Sequence, residues 1–444
     1  MKDLLFVEDG FNLPLAKSKV DWISRDCIYV GTDFGANSLT RSGFPRIVKK
    51  WKRGEPLEKA ETVFEGERND VGAWAMPFER TEGDVHFFIR PLVAFKNKQY
   101  ILESNVVVDL KMPLDTNIRG VIRDQVIIEV RADWKVKNRV YLNGSIVSAD
   151  LTALRAGEIN LHLVIGSEDR TSICDLAIAR DFVIVNRLEN LACVLYKYEF
   201  SGEAWVGDRL GAPGKGTVRV SNANGYSNAF FYTYAGFLSP TALFYSANDG
   251  TQRCVRKLPA YWDSEHFSVS PFEAISNDGT KIPYSVVHRR DMALDGCNPT
   301  LLSGYGSCGS SRLPAYSPEI GASWLEKGGV YALANIRGGG EFGQGCHHAA
   351  RKENRQTTFD DFIAVANDLI ERGFTSPKRL SISGRSLGGL LIGAVVTQRP
   401  DLFSAAYCGV PVLDMKRYHR LLAGATHISE YGDPDVDEEW DYIS

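Results

Sequence analysis

The stretch RLSISGRSLGGLLIGAVV, residues 379–396, decides how the second half of this chain folds. Arg379–Ser383 reads as an apolar strand, and Leu387 to about Gln398 reads as a helix of small and apolar residues. Gly384-Arg385-Ser386-Leu387-Gly388 lies between them and matches G-x-S-x-G. A hydroxyl is a poor nucleophile unless it is presented and activated. A sharp turn from strand to helix pushes the serine oxygen out of the sheet, and the glycines let neighbouring backbone pass close by. Ser386 is therefore the candidate nucleophile. The Leu387 N–H, at the start of the helix, is a candidate donor to the oxyanion formed when Ser386 attacks a carbonyl. Tyr305, in Gly304-Tyr305-Gly306 after another apolar run, offers its phenol as a candidate second donor.

Outward from this motif the rhythm is strand, helix, strand. Gly329–Asn335 predicts a buried strand. Phe359–Arg372 predicts a helix whose apolar face holds Phe359, Phe362, Ile363, Ala366, Leu369 and Ile370, with Gly373 as its C-terminal cap. Ala405–Val410 predicts the next strand. Such alternation implies a parallel sheet with helices on its faces. Residues 1 to about 260 read differently. Short runs rich in Val, Ile, Tyr and Phe, such as Cys27–Gly31, Val126–Val130, Phe182–Val185 and Ala242–Tyr245, alternate with Gly, Asn and Asp turns. Arg-Asp recurs before apolar runs at Arg25-Asp26, Arg123-Asp124 and Arg180-Asp181, as expected of a repeat of about 50 residues and of propeller blades. Tyr261–Ser270 is the expected boundary.

Composition narrows the function classes. A net charge of −4 over 444 residues gives no electrostatic case for nucleic acid. No apolar run is long enough to span a membrane. Glu8 and Asp9 come too early for a signal-peptide core, so a cytoplasmic protein is expected. The eight cysteines form no C-x-x-C pair, and their scatter predicts buried free thiols in a reducing compartment. The eight histidines include no H-E-x-x-H, and neither a metal nor any other cofactor is expected.

Several stretches taken together resemble the catalytic domain of the prolyl oligopeptidases. They are SNDGTKIPYSVVH (276–288), GYG (304–306), GGVYALANIRGGGEFG (328–343), FDDF (359–362), TSPKRLSISGRSLGGLL (375–391) and RPDLF (399–403). FLSP (237–240) resembles a piece of the same family's N-terminal domain. The resemblance implies a β-propeller over residues 1–262 and an α/β-hydrolase domain over 263–444, each incomplete. It implies a serine peptidase acting on short peptides through an acyl-enzyme. Ser386 matches the nucleophile, Leu387 and Tyr305 the oxyanion donors, and Val412 and Tyr431 two residues of the substrate pocket. Cys308 and His427 stand where prolyl-specific members carry aromatic pocket residues. The G-R-S-x-G-G turn resembles oligopeptidase B, which cleaves after basic residues, yet only Glu430 of the expected acidic pair is nearby, so the residue before the cut stays open. In this fold the triad acid and base follow the nucleophile on later strands. Asp414, His419 and His427 are not read as that pair, so the chain is expected to be a piece of a longer peptidase that lacks them. A catalytically inactive remnant or binding module, and an esterase-type hydrolase, remain alternatives.

Overall fold

The computed structural model describes residues 9–93, 96–168, 170–211, 213–214, 216–422 and 424–444. The first eight residues, which hold most of the stretch searched for a signal peptide, lie outside them. The chain forms two compact units: one holds the residues up to Gly166 with Phe200–Trp205 and Asn224–Tyr226, the other the remainder.

The first unit contains three four-stranded antiparallel sheets. Their first strands are Lys19–Ser24, Trp74–Phe78 and Thr116–Ile122. Each is a meander in which sequence neighbours pair, with a short hairpin at Trp134–Val136 and Arg139–Tyr141 inserted in the third. Alternate residues point inward, so Phe87, Ile101, Ile118, Val126, Ile128 and Val147 fill one core.

The second unit begins with two more sheets of the same kind, starting at Thr171–Ile178 and Thr217–Asn222. Five sheets of this pattern are the blades that the repeat predicted. The three Arg-Asp pairs all fall in turns between the first and second strands of a sheet: the first, third and fourth. The dipeptide marks that turn in three of the five sheets.

A six-stranded sheet follows, built from β1 (Phe267–Ile275), β2 (Lys281–Arg289), β3 (Thr300–Ser303), β4 (Val330–Ala334), β5 (Leu380–Arg385) and β6 (Ala405–Gly409). The spatial order is β1-β2-β4-β3-β5-β6. β1 and β2 pair antiparallel, as do β2 and β4, and the rest are parallel. Helix α1 (Gln356–Glu371) buries Phe362, Val365, Ala366 and Leu369, spaced for one face, against Tyr284, Leu302 and Ile382 of the sheet. It begins three residues before the expected start. Gly373 caps it at φ 74°, where the Gly373 and Phe374 N–H groups donate to the carbonyls of Ile370 and Leu369. Helix α2 (Leu387–Gln398) matches its expected span and is buried over most of its first turns. Short helices α3 (Ile428–Tyr431) and α4 (Asp437–Ile443) follow. No helix among the described residues is long and apolar enough to cross a membrane. All eight cysteines are free thiols, but only Cys27 and Cys193 are buried, while Cys174, Cys254 and Cys297 are exposed. Burial of the whole set was thus overestimated, because period-2 strands and turns put half of their residues outward.

Candidate active site

β3 and β5 are adjacent parallel strands with Ser303 opposite Ser383. Their carboxyl ends therefore deliver Tyr305 and Ser386 side by side. Ser386 is the single residue between β5 and α2, exposed, with φ 58° and ψ −123°. Such a conformation costs about 1–3 kcal/mol for a residue with a side chain and persists only when its surroundings fix it. Here the Ser386 N–H donates to the Gly409 carbonyl of β6 at 2.9 Å, and its carbonyl accepts from the Gly389 and Leu390 N–H groups. The turn also requires backbone to touch backbone. A Cβ on Gly384 would lie 2.1 Å from the Gly388 oxygen, and one on Gly388 would lie 3.0 Å from the Gly304 oxygen.

The Tyr305 phenol lies near enough to the Ser386 side chain to feel it. Burial pushes the phenol pKa up, as does Cys308, while the Arg312 guanidinium and the Ser386 hydroxyl pull it down. Arg312 lies over the Tyr305 ring, 4.1 Å from its centre. Leu387 is the first residue of α2, so its N–H has no intrahelical partner. Tyr305 and the first residue of α2 thus both lie beside Ser386. Among the described residues no histidine hydrogen-bonds to Ser386.

Leu387, Leu390, Tyr418 and Tyr431 form a small buried apolar cluster, and Tyr305, Cys308, Val412, Met415 and Ile428 pack against it. This brings Cys308, Val412 and Tyr431 together beside the Ser386 turn. Cys308 takes φ 55°, and burial, then Glu430, pushes its thiol up to about 12. His427 stands just before α3, partly buried and outside that cluster. Burial lowers its pKa against an opposing pull from Glu430.

Glu430 itself is buried and spoken for. One carboxylate oxygen accepts from Arg355 Nη2 at 2.5 Å and from the Cys308 N–H at 2.8 Å; the other meets His347 Nε2 at 2.7 Å. Burial raises its pKa, but the His347 hydrogen bond, the Arg355 charge and the Cys308 N–H outweigh that and hold it at about 2. Arg355 also donates to the Gly306 carbonyl at 2.7 Å and to Ser307 Oγ, and its guanidinium lies over the Tyr431 ring. The Ser307 and Tyr431 hydroxyls are 2.9 Å apart. Arg355 and Glu430 thereby tie the loop carrying Tyr305 to the helix carrying Tyr431. Sequence reading missed Arg355, His347 and Ser307, since nothing in a lone sequence marks a charged residue as buried.

The other candidates lie elsewhere in the network. Asp414 is bound by Arg417 at 2.7 Å, and His419 Nε2 meets Asp435 at 2.9 Å. His419, Asp433 and Asp435 could offer three ligand atoms to a cation, but Arg420 already occupies both oxygens of Asp435.

Known proteins resemble this chain in sequence and structure. Residues 3–258 match the family model of the prolyl oligopeptidase N-terminal β-propeller domain, and residues 316–444 match that of the prolyl oligopeptidase family. An uncharacterized peptidase of Sinorhizobium fredii is 36% identical over 97% of this chain, which covers 61% of that protein. A prolyl endopeptidase of Elizabethkingia miricola is 38% identical over 52% of the chain and 33% of its own length. The structure of a post-proline cleaving enzyme from Rickettsia typhi superposes with a TM-score of 0.93 at 30% identity, over 99% of this chain and 66% of that one. The chain spans 61% of the Sinorhizobium protein and 66% of the Rickettsia one. With both halves matched, the blades as well as the nucleophile domain, the chain belongs to the prolyl oligopeptidase family.

Proposed function

We propose that this chain is the propeller and nucleophile portion of a serine oligopeptidase that cleaves short peptides through an acyl-enzyme on Ser386. The observation that carries the reading is the strained Ser386 turn at the end of β5, with Tyr305 brought beside it from the end of β3. In the reaction the Ser386 oxygen bonds to the substrate carbonyl carbon, and its proton passes to a base. The Leu387 N–H and the Tyr305 hydroxyl hold the oxyanion. Each such donor is worth about 3 kcal/mol of barrier. Collapse breaks the C–N bond as the base returns the proton to the leaving amine, and water then adds to the acyl carbon and releases the acid from Ser386, whose oxygen regains a proton. Residues 1–262 serve as the propeller part and 263–444 as the hydrolase part, in a cytoplasmic protein whose partners are peptides.

Cys308, Val412, Tyr431 and the neighbouring His427 form the pocket for the residue before the cut. Glu430 does not offer its charge there, since Arg355, His347 and the Cys308 N–H occupy both oxygens. This favours proline or a small apolar residue over lysine or arginine, in keeping with the relatives named for cleavage after proline.

Among the described residues no histidine hydrogen-bonds to Ser386, which supports little peptidase activity for residues 1–444 alone. Loss of a triad member leaves residual catalysis from the oxyanion hole and binding only. The assay is release of a chromogenic amine from short peptides with proline, alanine or arginine before the cleavable bond. The expected result is turnover well under about 1 per second, with proline and alanine above arginine. Turnover at ordinary enzyme rates that Ser386→Ala abolishes would mean that a base within the chain serves Ser386. Preference for arginine would overturn the pocket assignment.

A further inference from the structure

A cavity of about 210 Å³ opens at the carboxyl ends of β3 and β5, lined in part by Ser303, Arg312, Tyr331, Ser383, Arg385 and Tyr407. Two arginines face it and no acidic residue lines it. Neither guanidinium has a hydrogen-bond or ion-pair partner among the described residues. That is unusual for this part of the chain. Arg337, Arg355, Arg372, Arg399, Arg417 and Arg420 each hold a carboxylate. The charge of Glu341 is felt near Arg312, but its carboxyl accepts from the Arg312 backbone N–H and from Asn335 Nδ2, and burial raises its pKa. The Arg312 guanidinium stays fixed over the Tyr305 ring instead. The Ser303 and Ser383 hydroxyls, 2.6 Å apart, add a polar floor.

We propose that Arg312 and Arg385 form a carboxylate-binding site beside the nucleophile, selecting peptides with a negative charge one or two residues from the bond that is cut. Arg385 is the residue before Ser386, and Arg312 stacks on Tyr305, which stands beside Ser386 at the end of the adjacent strand. Tyr305 also packs against the apolar cluster with Cys308 and Tyr431. One substrate can therefore place an apolar side chain in that cluster and a carboxylate on the arginines, because a residue spans about 3.5 Å of extended chain. A planar guanidinium matches a carboxylate with two parallel hydrogen bonds, which makes arginine the suited residue. The charge has two possible sources, the peptide's own C-terminus or a Glu or Asp side chain. This inference rests on the peptidase reading.

The test is calorimetric titration of the 444-residue chain with four peptides. They are acetyl-Gly-Pro-Gly-Ala amide, the same peptide with a free C-terminal carboxylate, acetyl-Gly-Pro-Glu-Ala amide and its Gln counterpart. At least one carboxylate peptide is expected to bind about fivefold more tightly than its neutral partner, at low salt. The gain should shrink at about 0.5 M salt, as for an exposed charge pair. It should vanish in the double variant Arg312→Gln, Arg385→Gln and persist in part in Arg312→Lys, Arg385→Lys. A gain for the free carboxylate alone assigns the terminus, and a gain for Glu alone assigns the side chain. Equal binding of acidic and neutral peptides overturns this site and leaves the peptidase reading standing. A gain that survives the Gln variant or high salt also overturns it, and the salt series decides even where a variant fails to fold. If no peptide binds at all, the peptidase reading falls and this inference with it.

Discussion

Arg355→Met is expected to destabilise the chain by about 3–5 kcal/mol, because removing one partner of a buried ion pair leaves the other charge uncompensated. Arg355 and Glu430 are 9% and 3% exposed, so water cannot take over from either. The Gly306 carbonyl and Ser307 lose a donor in the same step. Urea unfolding followed by tryptophan fluorescence measures the change, and a loss under about 1 kcal/mol would show that the pair contributes little. The same carboxylate makes an acid limb. Glu430 titrates at about 2 when folded against an ordinary 4.5. A folded pKa below the unfolded one gives stability that is fully present above about 4.5 and lost as pH falls from there toward 2. The difference corresponds to about 3 kcal/mol. Glu430→Gln should flatten that limb, and an unchanged acid profile would remove the assignment.

Gly384→Ala is expected to cost more in function than in folding. The added methyl would lie 2.1 Å from the Gly388 oxygen and 2.9 Å from Ile392 Cγ1, so backbone must move. What moves is the turn that sets Ser386 and the Leu387 N–H. Misplacing a reacting group by about 1 Å costs on the order of a hundredfold in rate. Acylation of Ser386 by an activated ester should fall by at least that factor while the far-ultraviolet spectrum is retained. A change under about threefold would mean that the turn tolerates a side chain and that its glycines are not what positions Ser386.

Much of this was legible in residues 379–396. Strand, turn and helix appear there in eighteen letters, because a two-residue period gives way to a dense apolar helix with glycines at the join. The blades were legible as β-structure from alternation, and the Arg-Asp pairs marked their turns. Element ends were less so. α1 starts at Gln356 rather than Phe359, since Gln356, Thr357 and Thr358 carry no apolar signal even though Thr358 is buried. Ser386 and Tyr305 were both legible as candidates, but their adjacency depends on β3 lying next to β5, a pairing between segments some 80 residues apart. The Arg355–Glu430–His347 network was not legible at all. Charged letters read as surface, and only tertiary contact shows that these three are buried together. The empty-handed arginines Arg312 and Arg385 have the same difficulty in reverse, because being unpaired is a property of the fold.

The account stands or falls on Ser386 as a presented nucleophile. The most direct measurement is mass mapping of the chain after exposure to the p-nitrophenyl ester of an acylated proline. In this reaction the Ser386 oxygen bonds to the acyl carbon, nitrophenolate leaves, and the serine proton goes to solvent or buffer. The account predicts one acyl group on the peptide that contains Ser386, none at that site in Ser386→Ala, and acylation slowed about a hundredfold or more in Tyr305→Phe through loss of an oxyanion donor. Acylation spread over other serines and lysines, with Ser386 labelled no faster than they are, would contradict it.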